Sequence, residues 1–214
     1  MFSAQDLVKS LRMTQLNDPD SVTWSDLALI DVLNEALRML ILVRPDASSK
    51  VAIMPVRAGT RQTIPDDGIR LLRVIRNLND DDSAGLALRL VQQEDMDGMS
   101  PDWHTMQGIV VKEYMYDVRT PRQFYIYPAV TPASKLEIEY SCSVTKITGL
   151  NFDAPFPVSE IFSQPIQELM LYKLLSGDAT NGESGAMHLQ TAMELLGIKD
   201  TADERVSSAR RTSN

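Results

Sequence analysis

The side chains that could carry out chemistry are few and widely spaced along this chain. It has two histidines, His104 and His188, and a single cysteine, Cys142. His104 follows Pro101-Asp102-Trp103, a string typical of an Asp-capped turn in which the tryptophan packs as an anchor. A Ser-His-Asp hydrolase would need a Gly-x-Ser-x-Gly nucleophile elbow, which the sequence lacks. We therefore expect Trp103 and His104 to serve folding and not catalysis.

Neither His188 nor Cys142 lies in a metal-binding pattern. His188 falls in a predicted helix and has no histidine or carboxylate four residues later, so the zinc motif of a helix is absent. A lone cysteine excludes an internal disulfide and a multi-cysteine metal site. Cys142 lies in a strand-like run, which indicates a small buried apolar side chain, and a lone cysteine suits assembly in a reducing cytoplasm. We expect no catalytic residue, no cofactor and no metal.

Two loops match ligand-binding motifs only superficially. Residues 177–184 have the glycine spacing of a phosphate-binding loop, but Glu183 stands where the lysine should be. The acidic run that begins at Asn79 holds Ala84 and Leu90 where a calcium loop needs Gly and Glu. We interpret the first as a connection between helices and the second as a solvated loop, with weak divalent-cation binding as the alternative for the second.

Aromatic residues are concentrated in the middle of the chain, where they could form a base-stacking face. Such faces work beside basic residues. Lys112 and Arg122 are nearby, but so are Glu113, Asp117 and Glu137. We therefore interpret the aromatic residues as sheet core and subunit contact. They are Trp103, Tyr114, Tyr116, Phe124, Tyr125 and Tyr127, together with Trp24 nearer the start of the chain.

The composition is that of a folded protein with an acidic surface. Of the 214 residues, 43% are hydrophobic and 23% are charged, which suits one sizeable core or a mixed domain with an added helical part. The net charge of -8 repels phosphate backbones, so sequence-specific binding of duplex DNA is not expected. The longest apolar stretch, Met39–Val43, is too short to span a membrane, and the first residues do not resemble a cleaved signal peptide.

Helical periodicity occurs at both ends of the chain. A helix over 3–16 is expected to be capped by Ser3 with Asp6, and a second starts after Thr23 or Ser25 and ends at Arg44. Two more helices are predicted over 159–176 and 184–196, each stopped by a glycine. The second helix has an apolar stripe made of Leu27, Ile30, Leu33, Leu37, Leu40 and Ile41.

Between about 50 and 145 the pattern changes to short strands joined by Pro, Gly and Asp turns. This pattern predicts an antiparallel β-sandwich or a small barrel, and therefore an α+β fold overall. The predicted organisation is a helical bundle from 1–48 and 155–198, a β domain over 49–154, and a flexible C-terminal tail over 199–214. The predicted strands are 51–56, 60–64, 70–78, 86–91, 109–116, 123–127 and 135–140.

Several strings, in this order, resemble a family of head-to-tail adaptor (connector) proteins of tailed bacteriophages. The resemblance covers about residues 15–197 and rests on their number and order. The strings are Leu16-Asn17-Asp18, Trp24, Leu33-Asn34-Glu35-Ala36, Arg44-Pro45-Asp46-Ala47, Gly59-Thr60-Arg61-Gln62, Ile64-Pro65, Leu71-Leu72, Val74, Arg76-Asn77, Pro101-Asp102-Trp103-His104, Tyr116-Asp117, Pro121, Phe124-Tyr125-Ile126-Tyr127-Pro128, Leu171-Tyr172-Lys173 and Ser176-Gly177-Asp178.

The resemblance implies a structural virion protein. Such adaptors form a dodecameric ring that joins the portal to a tail nozzle or tube protein, and DNA passes through the lumen without sequence-specific binding. The subunits would assemble in the host cytoplasm and end at the head–tail interface. No membrane partner is expected. As a hypothesis, carboxylates facing the lumen keep DNA from adhering, an effect confined to a narrow channel because salt screens charges beyond roughly 8 Å.

The C-terminal tail is the predicted portal-docking segment. Residues 205–214 carry Arg205, Arg210 and Arg211 and no acidic residue, although the chain as a whole is acidic. Guanidinium groups bind carboxylates of a partner through paired hydrogen bonds. The resemblance implies a C-terminal extension that runs along the portal. The alternative is an ordinary frayed terminus.

Three other functions stay open at this level. The chain could be another ring protein of the virion, such as a head-completion or tail-terminator protein, which ring symmetry would distinguish. It could be a cell-wall hydrolase, although no pair of carboxylates marks an acid and a base. It could also be a β-sandwich binding module that stays monomeric in the presence of portal.

Overall fold

The structure is a computed structural model that describes residues 2–132, 134–176 and 182–197. The chain divides into two compact units. The helical unit comprises the residues up to Arg44 together with those from Val144 onward, and the β unit comprises Pro45–Ser143. The fold class is α+β, as predicted, because most helices lie in one unit and the strands lie in the other.

Among the described residues, two α-helices precede the strands, one lies between β5 and β6, and two follow the last strand. The α-helices are α1 (Ala4–Leu11), α2 (Asp26–Val43), α3 (Gln93–Met99), α4 (Ser163–Leu175) and α5 (Gly182–Leu195). The strands are β1 (Ser49–Pro55), β2 (Arg61–Thr63), β3 (Gly68–Leu78), β4 (Ala84–Ala87), β5 (Arg89–Leu90), β6 (Glu113–Tyr116), β7 (Gln123–Tyr127) and β8 (Lys135–Cys142).

Helix α1 begins with the predicted capping box. The Ser3 hydroxyl accepts a hydrogen bond from the Asp6 N–H at 3.1 Å, and the Asp6 carboxylate accepts one from the Ser3 N–H at 3.0 Å. The α-helix ends at Leu11, earlier than predicted, because a π-helical turn continues it from Arg12 to Leu16. The turn stops at Asn17, whose φ of 47° is left-handed.

Helix α2 is capped by Ser25, whose hydroxyl accepts a hydrogen bond from the Ala28 N–H at 3.2 Å. Most of the predicted stripe is buried, but the placement of Leu27 in it was wrong, because this side chain is 70% exposed. Leu29, which lies outside the predicted stripe, is fully buried instead. The first turn of the helix therefore packs through Leu29 and Ile30, and leaves Leu27 on the surface.

The two C-terminal helices start and stop close to the predicted positions. Pro165 lies in the first turn of α4, where its missing N–H has no partner to lose, and it is buried there. Ile161, within the predicted helix over 159–176, lies in the 3₁₀ turn before α4 and is exposed. Gly197 follows α5 with a φ of 72°, the left-handed stop expected of a glycine.

The β unit contains two four-stranded sheets that share one hydrophobic core. The first sheet has the order β1-β8-β3-β4, and the second has the order β2-β7-β6-β5. All pairs in the first sheet are antiparallel, whereas β5 and β6 are parallel, so the second sheet is mixed. The described strands form no closed barrel, which corrects the small-barrel alternative. The shared core contains Met54, Leu71, Val74, Tyr114, Phe124, Ile126, Leu136, Ile138 and Tyr140.

Strand β3 has a side-chain period of three instead of two. Its register against β8 shifts three times, and each shift places one extra residue on β3. As a result Gly68, Leu71, Val74 and Asn77 are buried, at every third position. This regular bulging is the reason that the predicted strand over 70–78 alternates only loosely in sequence.

The segment predicted as one strand over 86–91 is two strands in different sheets. Strand β4 pairs with β3 in the first sheet, and β5 pairs with β6 in the second. Gly85 fits in β4 because a Cβ at this position would lie 2.8 Å from the Asn77 carbonyl oxygen. Helix α3, which begins three residues after β5 ends, was not predicted.

Candidate functional sites

Trp103 and His104 lie in a packed cluster of side chains on the second sheet. Trp103 is fully buried against Met96 and Met115, and its indole N–H donates to the Asp97 carboxylate at 2.8 Å. The His104 ring stacks on Trp103 with a centroid distance of 3.7 Å, and its Nδ1 lies 2.8 Å from the Thr60 hydroxyl. Helix α3 and the turn of Trp103 thereby cover the outer face of the second sheet. The arrangement supports a structural role for both residues.

His188 is engaged within the helical unit. Its Nδ1 lies 2.7 Å from the Glu168 carboxylate, so the pair joins α5 to α4. Across the residues that the structure describes, no group of three or more His, Cys, Asp or Glu side chains could hold a metal ion. The helices among those residues also include none of the length and apolarity needed to cross a bilayer.

The Leu16-Asn17-Asp18 and Trp24 strings surround a buried ion pair. The Arg12 guanidinium lies 2.9 Å from the Asp18 carboxylate and donates to the Trp24 carbonyl oxygen at 2.7 Å. Backbone N–H groups of Thr23, Trp24 and Val22 donate to Asp18, and these hydrogen bonds, with Thr23 first, lower the pKa of its carboxyl group. The pair fixes the loop between α1 and α2.

Three buried amide side chains explain other strings of the resemblance. Asn34 of α2 bonds both the N–H and the carbonyl of Ile147, at 2.9 and 2.8 Å. Gln62, fully buried, bonds the N–H and carbonyl of Arg57 and closes the loop before β2. Asn77 bonds Val111 in the same paired way and also donates to the Leu86 carbonyl. These residues hold irregular backbone, because a buried peptide group needs a partner.

The outer face of the first sheet carries charge and exposed apolar side chains in ordered stripes. On β1, Val51 and Ile53 are 53% and 50% exposed. Beside them on β8 lie Glu139 and Glu137, and beyond these on β3 lie Arg73 and Arg76. The Nε atom of Arg73 lies 2.6 Å from a Glu139 carboxylate oxygen, and that of Arg76 lies 2.6 Å from a Glu137 carboxylate oxygen. We call this surface, from Val51 to Arg76, the outer stripe face.

A second exposed apolar pair lies on the helical unit. Leu27 and Leu42 are 70% and 76% exposed at the two ends of α2. Asp31, Glu35 and Arg38 are exposed between them on the same helix. Isolated exposed leucines are common on protein surfaces, so the pair is a candidate contact only.

The predicted portal-docking residues lie outside the described part of the chain. Arg205, Arg210 and Arg211 belong to the segment after Gly197, and their role stays a prediction. The residues that sequence reasoning missed are the buried polar ones, Arg12, Asn34, Gln62 and Asn77. Most of them occur inside the quoted strings, which was the available signal, but a single sequence does not show that a polar residue is buried.

Comparison of the sequence with known families gives a match over nearly the whole chain. The model of the SU10 adaptor protein family matches residues 3–213, which is nearly the whole chain. No curated protein matches the sequence. The family match confirms the resemblance to head-to-tail adaptors that the ordered strings indicated, and it extends over both units. The chain therefore belongs to the SU10 adaptor protein family.

Proposed function

We propose that this protein is the subunit of the adaptor ring that joins the portal to the tail of a tailed bacteriophage and continues the DNA channel. The observation that carries the proposal is the family match over residues 3–213. The engagement of His104 and His188 in structural contacts supports a role without catalysis. The protein would act in the virion at the head–tail interface after assembly in the host cytoplasm.

The proposed ring is a dodecamer, in which the helical bundle carries the β-sandwich as an insertion. Subunits of a ring contact each other through two different surfaces, and the rotation must close. The outer stripe face and the exposed pair on α2 are the candidate surfaces. DNA would pass through a lumen lined mainly by carboxylates, since the chain carries a net charge of -8.

The C-terminal arginines Arg205, Arg210 and Arg211 are proposed to dock the ring on the portal. Deletion of residues 200–214 should leave the melting curve unchanged and weaken binding to the cognate portal. A matched variant replaces the three arginines by glutamine, which keeps the length of the tail. Equal binding by all three proteins would show that the portal contact lies elsewhere.

Assembly on the portal tests the function itself. Light scattering of the pure protein at micromolar concentration should give a monomer, because like charges oppose association. Addition of the portal should give a twelve-fold ring in electron micrographs. A six-fold ring would favour a tail terminator, and absence of any ring would contradict the adaptor function. Degradation of cell walls by the pure protein would instead indicate a hydrolase.

A further inference from the structure

The first sheet of the β unit has two edge strands, β1 and β4, and each contains an uncharged run of four residues. At one edge β1 is seven residues long, with Lys50 near its start and Pro55 at its end, and the run between them, Val51–Met54, contains neither a charged residue nor a proline. Edge strands of soluble proteins are commonly protected by charges, prolines or bulges. Lys50 does not serve this purpose, because its ammonium group lies 3.2 Å from the Asp67 carboxylate.

The opposite edge is also uncharged. Strand β4 reads Ala84-Gly85-Leu86-Ala87, and Leu86 is 68% exposed. Among the described residues, no backbone N–H of β4 donates outside its pair with β3, and none of β1 donates outside its pair with β8. On β4 the carbonyl oxygens of Leu86 and Ala84 already accept hydrogen bonds from the Asn77 and Asn79 side chains. Both edges therefore present backbone N–H groups, and β1 also backbone carbonyls, that a further strand could bond.

Strand directions make these two edges complementary to each other. Each neighbour in the order β1-β8-β3-β4 is antiparallel, so β1 and β4 run in opposite directions. A rotation about an axis along the strands leaves strand directions unchanged. In a ring with such an axis, β4 of one copy would therefore meet β1 of the next copy in an antiparallel arrangement, which continues the sheet across the junction.

We propose that β1 of one subunit pairs with β4 of the adjacent subunit in the assembled ring. The proposal rests on the proposed adaptor function, and it assigns the contact between copies to backbone hydrogen bonds at Val51–Met54 and Ala84–Ala87. The occupant of each edge is a second copy of this chain, because the two edges belong to one sheet and match in direction and in lack of charge. An added strand gains its affinity from main-chain hydrogen bonds in this way.

Hydrogen exchange measured by mass spectrometry tests the pairing without any mutation. The wild-type protein is compared as free monomer and as ring on the cognate portal. Amides of peptides covering 49–55 and 84–87 should exchange at least about tenfold more slowly in the ring, because edge amides become hydrogen bonded. Protection of only one of the two peptides would overturn the proposal, since it would indicate a different component at that edge.

The second measurement is ring assembly by a variant that carries a lysine on the β1 edge. Ile53→Lys places a charge on the middle of β1 beside Glu137, which tolerates it in the folded monomer. The matched control is Val118→Lys, at an exposed position in the turn between β6 and β7. Ile53→Lys should raise the protein concentration needed for ring formation by about tenfold or more, as expected at the centre of an interface. Val118→Lys should not change it.

The outcomes separate the inference from the function on which it rests. If wild-type rings form while both edge peptides exchange as in the monomer, or if Ile53→Lys assembles like Val118→Lys, the strand pairing is wrong and the adaptor function stands. If the wild-type protein forms no ring on the portal, the adaptor function fails, and the pairing between adjacent subunits fails with it.

Discussion

The two sheets of the β unit share a core but differ at their outer faces. The outer face of the second sheet is covered within the subunit, where Trp103 and Met96 pack on Met115. The outer face of the first sheet is left to solvent, with Val51 and Ile53 half exposed beside rows of arginine and glutamate. One sheet therefore completes its packing locally, and the other keeps an open face.

The difference between the two outer faces indicates that folding stability and assembly depend on different surfaces of the β unit. Burial of an aromatic side chain removes a large apolar area from water, and the Trp103 cluster provides this for the second sheet. Exposed ion pairs contribute little to stability, so leaving the outer stripe face in contact with solvent costs little free energy. The face is therefore suited to a contact that forms after folding. The comparison predicts large effects of substitution at the covered face and small effects at the open one.

The largest effect is expected at Trp103. Trp103→Ala should lower the free energy of unfolding by about 3–5 kcal/mol, because a buried aromatic ring and its packing are lost. Urea denaturation followed by circular dichroism measures it. Met99→Ala, at an exposed position on α3, is the control and should have little effect. Equal stability of Trp103→Ala and wild type would contradict the structural role.

An intermediate effect is expected at Asn77, beneath both faces. Asn77→Ala should cost about 1–3 kcal/mol, because the N–H and carbonyl of Val111 lose their partner. The control is Asn79→Ala, in the exposed loop between β3 and β4. Thermal unfolding of both variants compares them. If the two melt alike, the paired hydrogen bonds of Asn77 contribute nothing specific.

A small effect is expected on the outer stripe face. Arg73 is largely exposed, so Arg73→Ala should cost at most about 1 kcal/mol, and less at high salt. Glu139→Gln removes the same pair from the other side and should behave alike. Urea denaturation at low and high salt measures both variants. A loss as large as that of Trp103→Ala would remove the distinction between the covered and the open face.

The smallest effect is confined to acid and concerns Asp67. The hydrogen bond from Lys50, followed by that from Tyr140, lowers the pKa of the Asp67 carboxyl group below its usual value of 3.8. A lowered folded pKa stabilises the protein above 3.8 and loses this contribution as pH falls through the folded value. Asp67→Asn should therefore flatten the decline in melting temperature below about pH 4. An unchanged decline would show that Asp67 does not contribute to it.

Sequence periodicity was sufficient to predict the helices at the two ends of the chain. It was insufficient to predict how the strands in the middle pair. The capping box of Ser3 and the glycine stop at Gly197 depend on residues within one helical turn, so both could be predicted. The exposure of Leu27 depends on which residues pack against the first turn of α2. Periodicity within one helix carries no information about these neighbours. The pairing partner of 86–91 likewise depends on strands distant in sequence.

The candidate sites also include features that the sequence predicts and features that only the structure reveals. The lack of a nucleophile elbow and of a metal-binding pattern could be derived from residue types and spacing alone, and so could the family, from short strings in a fixed order. The outer stripe face could not, because it exists only through the register of three strands. Arg73 and Glu139 are 66 positions apart in the sequence and become neighbours through the β3–β8 register.

The sequence by itself determined the α+β class, the local helix signals and membership in the adaptor family, because these depend on composition and on residues close together in the chain. Tertiary structure alone decided which polar residues are buried, which leucines are exposed, and why β3 presents every third residue to the core. Bulges and sheet edges arise from pairing between distant strands, where one extra residue or one missing neighbour changes which groups meet water.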